Sequence, residues 1–253
     1  MSCEKRFEGK VCIATGAASG MGFLFCKRFA GEGGCAVLAD INGEALDAKV
    51  KEITDEGGRA IGVVCDVRDY KQVTAVCEAA VETFGSIDVM VNTAGGAECR
   101  ICGQGDEFFK NDIEIYDWSI DVNLKGQIHF DHAVMKQMSK QMSGVIINIG
   151  SITGEEGCAS NISYAAAKSA AMNGLTKSVA LAGGKYGIRC VCVAPGPVLT
   201  RPGMAGMKTL MGRAAEPDEM IDLMLFLASD KASFITGINV LADGGRNIMR
   251  DKN

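Results

Sequence analysis

Two residues four apart, Tyr164 and Lys168, stand in the Ala-rich stretch Tyr164-Ala165-Ala166-Ala167-Lys168. On a helix, positions i and i+4 share one face, so both side chains point the same way. A free phenol titrates at about 10 and is a poor base at neutral pH. A neighbouring ammonium, or a cofactor cation, favours the phenolate and draws that value toward the working range. Upstream, Ser151 follows the apolar run VIINIG. Its hydroxyl could hold a reacting oxygen while charge moves on or off it. Asn123, in VNLKG, is a candidate to anchor a water that relays protons to Lys168. Each of these residues alone has a plainer explanation: a helix surface for the Tyr–Lys pair, a strand-end cap for the serine.

A second constellation lies near the start of the chain, in Thr15-Gly16-Ala17-Ala18-Ser19-Gly20-Met21-Gly22. A pyrophosphate needs backbone N–H groups at a helix N-terminus. Gly16 allows a tight turn, Gly20 lets the backbone approach phosphates, and Gly22 lets helix and strand pack closely. The following apolar run ends in Asp40, whose carboxylate can accept from ribose hydroxyls and would repel a 2′-phosphate. Ala39, Ile41 and Asn42 flank it without a cation, so the expected cofactor is NAD(H) over NADP(H). Asp66, beside Val67, could meet the adenine amino group. Asn92, Ala94 and Gly95 could let the nicotinamide ribose come close.

The elements that must position these residues alternate along the chain. Strands are expected at 10–15, 35–40, 60–64, 88–92, 144–149, 188–194 and 238–241. Helices are expected at 20–32, 44–56 with its N-cap near Asn42, 69–84, 112–142, 163–185 and 217–229, the last with Pro217 in its first turn. Near-continuous apolar strands alternating with amphipathic helices predict a doubly wound α/β fold. Its parallel sheet would be covered by helices on both faces, in a single domain over residues 1–253. Ligands of such sheets sit outside the carboxyl ends of the strands, where the residues above fall.

The whole chain sets bounds on partners. Its 253 residues carry 26 basic and 31 acidic side chains, a net charge of −5. That argues against a nucleic-acid partner and against a polybasic membrane anchor. The start MSCEKRFEGK is too polar for a signal peptide, and no apolar run reaches the roughly 18 residues of a spanning helix. Of eleven cysteines, Cys12, Cys26, Cys35, Cys65, Cys77, Cys190 and Cys192 fall in apolar contexts and read as small buried hydrophobes. These features point to a cytoplasmic protein in a reducing compartment. The lone pair Cys99 and Cys102 lacks further ligands, so no metal site is expected.

Taken together, the motifs resemble the short-chain dehydrogenase/reductase family over nearly the whole chain. TGAASGMG matches the family's cofactor loop, and NTAG matches its usual NNAG with Thr93 as a departure. Asn123, Ser151, Tyr164 and Lys168 match the four catalytic positions in order and spacing. Pro195-Gly196-Pro197-Val198-Leu199-Thr200 matches the segment that brackets the nicotinamide, and Asp243-Gly244-Gly245 matches the C-terminal signature. The resemblance implies hydride transfer between NAD(H) and a secondary alcohol or ketone, to the 4-pro-S position, commonly in a homotetramer. It adds Ser19, Met21, Ile41, Val67, Pro195, Gly196, Val198 and Thr200 to the cofactor contacts, with Tyr164 and Lys168. Substrate would touch Ser151, Thr153, Tyr164 and Pro197. A nucleotide-binding sensor or scaffold is the non-enzyme alternative, against which the intact catalytic set argues.

The substrate is less legible. The segment GAECRICGQGDEFFKN after Gly95 is a few residues longer than the family usually has there. Its Phe108 and Phe109 are expected to anchor it on the core or to line an apolar wall. Glu155 or Glu156 could face a polyol or sugar. Met204, Met207, Leu210 and Met211 share a helical spacing that would suit a lid over a hydroxysteroid or another bulky hydrophobic alcohol. Against a 3-oxoacyl carrier-protein reductase stand Asp40, Ser19 and the absence of a basic surplus. For oligomer contacts, Ala170, Ala171, Met172 and Gly174 would let the helices over 112–142 and 163–185 meet a partner subunit closely.

Overall fold

The structure is a computed structural model that describes residues 5–105 and 107–252. The polar start at residues 1–4 and Asp106 in the long loop lie outside the described residues, as does Asn253. Seven strands form one sheet: β1 Val11–Thr15, β2 Cys35–Asp40, β3 Arg59–Val64, β4 Val89–Asn92, β5 Gly144–Ile149, β6 Ile188–Pro195 and β7 Asn239–Ala242. All pairings are parallel, in the order β3-β2-β1-β4-β5-β6-β7.

Alternation along each strand sends its side chains to opposite faces. On β1, Cys12 and Ala14 join Phe25, Phe29 and Leu225 on one face. Val11 and Ile13 join Val73, Phe130 and Val134 on the other. The first face is covered by α1 Gly20–Gly31, α2 Gly43–Asp55 and α10 Pro217–Ala228, the second by α3 Tyr70–Phe84, α6 Gly126–Gln141 and α9 Thr176–Gly183. Phe25, Phe29 and Phe130 are fully buried, each stabilising the fold by roughly 1.5–3 kcal/mol. The seven cysteines expected in the core are all buried.

The chain leaves β1 toward β2 on one side and returns to β4 on the other, so a crevice opens between the carboxyl ends of β1 and β4. Thr93, the departure from the usual asparagine, closes the back of this crevice by donating to the carbonyl of Thr15. Thr15 in turn accepts from the Ala94 N–H at 3.0 Å.

The helix expected over 112–142 forms, but in three pieces. α5 Ile113–Ile120 passes through a π-turn at Asp121–Lys125 into α6. The helix expected over 163–185 does the same: α8 Ile162–Ala170, a π-turn at Ala171–Leu175, then α9. Asn42 caps α2 by accepting from the Ala45 N–H, as its type predicts. Two short helices were not foreseen, α4 Glu98–Cys102 and α7 Thr153–Glu156.

Several expectations for the surface are corrected. Residues 200–213 form no α-helix: a single 3-10 turn at Pro202–Met204 is followed by turns pinned where Thr209 accepts from the Arg213 N–H. Phe109 is exposed, and Phe108 rests edge-on against Tyr116 at a centroid distance of 5.0 Å, so neither enters the core or a cavity. Ala171 and Met172 are buried within their own subunit, which leaves the half-buried Ala170 and the exposed Gly174 as the open positions.

Candidate active site

Two connected cavities fill the crevice. The larger, about 730 Å³, is a cleft lined by Gly16, Ser19, Gly20, Met21, Gly22, Asp40, Ile41, Asp66, Val67, Ala94, Gly95 and Thr200. These are twelve of the residues expected to hold a dinucleotide. The smaller, about 310 Å³, contains Ser151, Thr153, Tyr164 and Lys168 with Pro195, Gly196 and Val198. Met21, Gly95 and Thr200 border both.

The cleft fits a dinucleotide on its own chemistry. At the N-terminus of α1, Ser19 makes no capping bond and the first turn holds no acidic residue. The helix end is therefore left for an anion from outside. Gly16 has φ +60°, and a Cβ there would come 2.9 Å from the Ala94 backbone. Only glycine keeps the turn closed on β4. At Gly22 a Cβ would press on Thr93 Oγ1 at 2.5 Å, which is the close helix–strand packing the motif requires.

Asp40 stands at the far end. Its oxygens accept from the Ala18 and Asn42 N–H groups, both at 3.0 Å, which orients the carboxylate across the cleft mouth. Asp66 also lines the cleft, but its carboxylate is held by Arg68, with Nη2 at 2.6 Å. That pairing keeps Asp66 below the usual carboxylate range. Arg68 itself is a cleft residue the sequence reading did not consider.

In the smaller cavity, Lys168 is buried and donates to the Ile149 carbonyl at 2.8 Å. Its Nζ lies 5.6 Å from the Tyr164 ring centroid. Burial pulls this ammonium down to about 8. The Tyr164 phenol is raised by burial, while the hydroxyl of Ser151 and the charges of Arg201 and Arg100 pull it back down. The lowering expected from the Lys168 ammonium and a cofactor cation thus comes here from Ser151 and two arginines.

Three expected residues stand apart from the cavities. Asn123 is fully buried in the first π-turn. Its Nδ2 donates to the carbonyls of Gly96 and Ser119, and its Oδ1 accepts from the Gly96 N–H. Its own carbonyl accepts from Gln127 Nε2 at 2.7 Å. Asn123 therefore positions the loop after β4; a Cβ on Gly95 would land on its Oδ1. Asn92 is turned inward, donating to Asp131 at 2.7 Å and to Asn148 at 2.8 Å, and lines neither cavity. Pro197 faces away, onto a separate cavity of about 200 Å³ shared with Thr209 and Met211. The strand end at Gly196 is pressed so closely on Asp243 that a Cβ there would come 2.6 Å from the Asp243 Cα.

The residue missed most completely is Glu98. It is fully buried, and its carboxyl accepts from the Ser163 N–H at 2.9 Å, the Tyr164 N–H at 3.1 Å and the Ser119 hydroxyl at 3.0 Å. Asn161, at the N-cap of α8, makes no capping bond. Glu98 takes that role from another loop and so fixes the helix that carries Tyr164 and Lys168. No local signal marks it, because a capping box needs its partner three residues away and Glu98 precedes Ser163 by 65.

The geometry agrees with the comparisons to known proteins. A family model described as "Enoyl-(Acyl carrier protein) reductase" matches residues 16–247. The 3-oxoacyl-[acyl-carrier-protein] reductase of Thermotoga maritima is 38% identical over 249 residues, covering 95% of this chain and 98% of that one. The chain belongs to the short-chain dehydrogenase/reductase family. Among other relatives, the trans-4-hydroxycyclohexanecarboxylate dehydrogenase of Sinomonas cyclohexanicum is 41% identical, covering 95% of this chain and 93% of the relative. A crystal structure of a 3-oxoacyl-[acyl-carrier protein] reductase with bound NAD, from Brucella melitensis, superposes with a TM-score of 0.88. It is 30% identical and covers 96% of this chain and 93% of its own. This short-chain dehydrogenase/reductase is an oxidoreductase with a Rossmann-type fold. Among the described residues, no helix is long and apolar enough to cross a membrane.

Proposed function

We propose that the protein is an NAD(H)-dependent enzyme that interconverts a secondary alcohol and a ketone. One observation carries the reading: Ser151, Tyr164 and Lys168 share a cavity that opens into a glycine-walled cleft closed at its far end by Asp40. The Gly16–Gly22 turn would hold the diphosphate, Asp40 the adenosine ribose, and Lys168 the nicotinamide ribose. When bound, the nicotinamide supplies or accepts the hydride. Tyr164 gives a proton to the carbonyl oxygen in reduction and takes it from the hydroxyl in oxidation. Ser151 orients that oxygen by a hydrogen bond. Lys168 keeps positive charge beside the phenol.

Asp40 supports NAD(H) over NADP(H), because its carboxylate occupies the space a 2′-phosphate would need. A polyol substrate loses its support at Glu156, whose carboxylate is paired with Arg246 at 3.2 Å and Lys252 at 2.7 Å. Glu155 is exposed outside the cavity. Met204 and Met207 do line the cavity, which supports an apolar substrate body. Exposed Ile113, Ile128 and Leu181, with the open face at Gly174, support association of further copies along α5–α6 and α8–α9, with a tetramer favoured. Ten free cysteines among the described residues, none paired, support a reducing cytoplasmic setting.

The test is NADH and NADPH oxidation, followed by absorbance, with a panel of cyclohexanones, steroid ketones and sugars. The panel includes 4-oxocyclohexanecarboxylate because one relative acts on a hydroxycyclohexanecarboxylate. Ketone-dependent oxidation of NADH is expected to exceed that of NADPH. A preference for NADPH would overturn the assignment made on Asp40.

A further inference from the structure

Arg100, in α4, and Arg201, just beyond β6, stand where the two cavities meet, and both line both of them. They reach the same space from two separate segments. Their proximity has a cost: burial and then the charge of Arg201 hold Arg100 below its ordinary value. Neither has a carboxylate partner among the described residues, and Arg201 makes only a 3.7 Å contact to Met204 Sδ. Five of the eight other arginines are paired with carboxylates, and a sixth, Arg189, donates to backbone carbonyls instead. Arg6 holds Glu32, Arg28 holds Asp218 and Asp222, Arg68 holds Asp66, Arg213 holds Glu219 and Arg246 holds Glu156.

The contrast extends to the whole cavity. Its described lining includes three cations, Arg100, Lys168 and Arg201, and no Asp or Glu, in a chain of net charge −5. Both guanidinium groups are exposed to the crevice, and a cleft lined by one sign of charge draws the opposite charge into it; their planar forks suit a carboxylate. The cofactor's diphosphate already has a seat at the N-terminus of α1. The second anion belongs to the other occupant of the crevice.

We propose that Arg100 and Arg201 clamp a carboxylate on the substrate, so that the enzyme acts on oxo and hydroxy acids whose apolar body lies against Met204 and Met207. This deepens, and rests on, the alcohol/ketone reading of the site. The carboxylate end points toward the rim and the reacting carbon toward Ser151 and Tyr164. The reaction itself is unchanged: a hydride and a proton add to the carbonyl, and the carboxylate is a handle only.

Two measurements test it. The first is the kcat/KM with NADH for 4-oxocyclohexanecarboxylate and 5-oxohexanoate, each beside its methyl ester. The acids are expected to be preferred by about 30-fold or more, in line with charge-assisted hydrogen bonds. In Arg100→Met and Arg201→Met that preference should fall about tenfold, and Arg201→Lys should keep part of it. The second is calorimetric binding of cyclohexanecarboxylate and of neutral cyclohexanecarboxamide to the NADH complex, which needs no turnover. The acid should bind about tenfold tighter, and the double Arg→Met variant should lose the difference. Esters turned over as well as acids would overturn the clamp and leave the redox reading standing. A calorimetric preference for the acid with no turnover of any ketone would overturn the redox reading instead. If the Arg→Met variants weaken NADH binding tenfold and keep the acid preference, the pair belongs to the diphosphate and the proposal fails.

Discussion

The two halves of the crevice are built by different means. The cofactor half is made of backbone: a glycine turn with φ +60° at Gly16, a bare helix end at α1 and strand ends that leave room. The catalytic half is made of side chains held by other side chains. Glu98 secures the start of α8, Ser119 and Asn123 brace the loop beneath it, and Asp131 joins Asn92 to Asn148 near the carboxyl ends of the central strands β4 and β5. Backbone constructions tolerate only the residues that fit the turn. Side-chain constructions transmit a local change to the groups they hold. A substitution in the first half should therefore alter what binds, and one in the second should alter what reacts.

The sharpest break of this contrast is Tyr164→Phe. It should lower kcat by about 10³-fold or more while NADH still binds, as read by cofactor fluorescence. Near-normal turnover would remove Tyr164 from the chemistry. Next comes Glu98→Ala, which strands the first N–H groups of α8. We expect a loss of roughly 2 kcal/mol of stability from the unsatisfied buried donors. In addition, kcat should fall about a hundredfold with KM for NADH little changed. A fall in KM terms alone would mean that Glu98 serves only the fold.

A third prediction concerns pH. Burial raises the Asp131 carboxyl from its ordinary 3.8 to about 7, while Asn148 and Asn92 partly oppose this. A carboxyl raised in the folded state favours folding below its unfolded value, and that contribution is lost as pH rises through 7. Between pH 5.5 and 7.5 the wild type should lose about 2 kcal/mol from this group. Asp131→Asn should flatten that slope in denaturant titrations; an unchanged slope would place the titration elsewhere. The smallest effect is expected in the cofactor half. Asp40→Ala should weaken NADH binding about tenfold, by loss of hydrogen bonds to one ribose, and narrow the gap to NADPH. If both cofactors weaken equally, Asp40 only shapes the turn.

The same contrast explains how much the sequence disclosed. Glycine positions and strand ends are local, so Gly16, Gly20, Gly22 and Asp40 could be assigned from spacing, and the structure brings them to one cleft. Tyr164 and Lys168 were legible for the same reason, being one helical turn apart. Glu98, Arg100 and Arg201 were not, because their roles depend on contacts between distant loops. Asn92 misled because a polar residue at a strand end points outward or inward according to its register, and here Asp131 draws it inward. Phe109 misled because an aromatic side chain in a long loop need not reach the core, and it remains 78% exposed.

The π-turns at Asp121–Lys125 and Ala171–Leu175 carry a consequence for how this chain can change length. Each is one residue wider than a regular turn. The wider turn absorbs that added residue and leaves the two flanks nearly in register. Deleting a single residue from either π-turn would therefore leave an ordinary helix with its flanks almost in place, whereas the same deletion in the regular helix on either side would swing one flank by about 100° relative to the other. Within α5, that rotation would carry Ser119 away from Glu98. The two π-turns are thus the points in these helices where a one-residue change of length disturbs the site least.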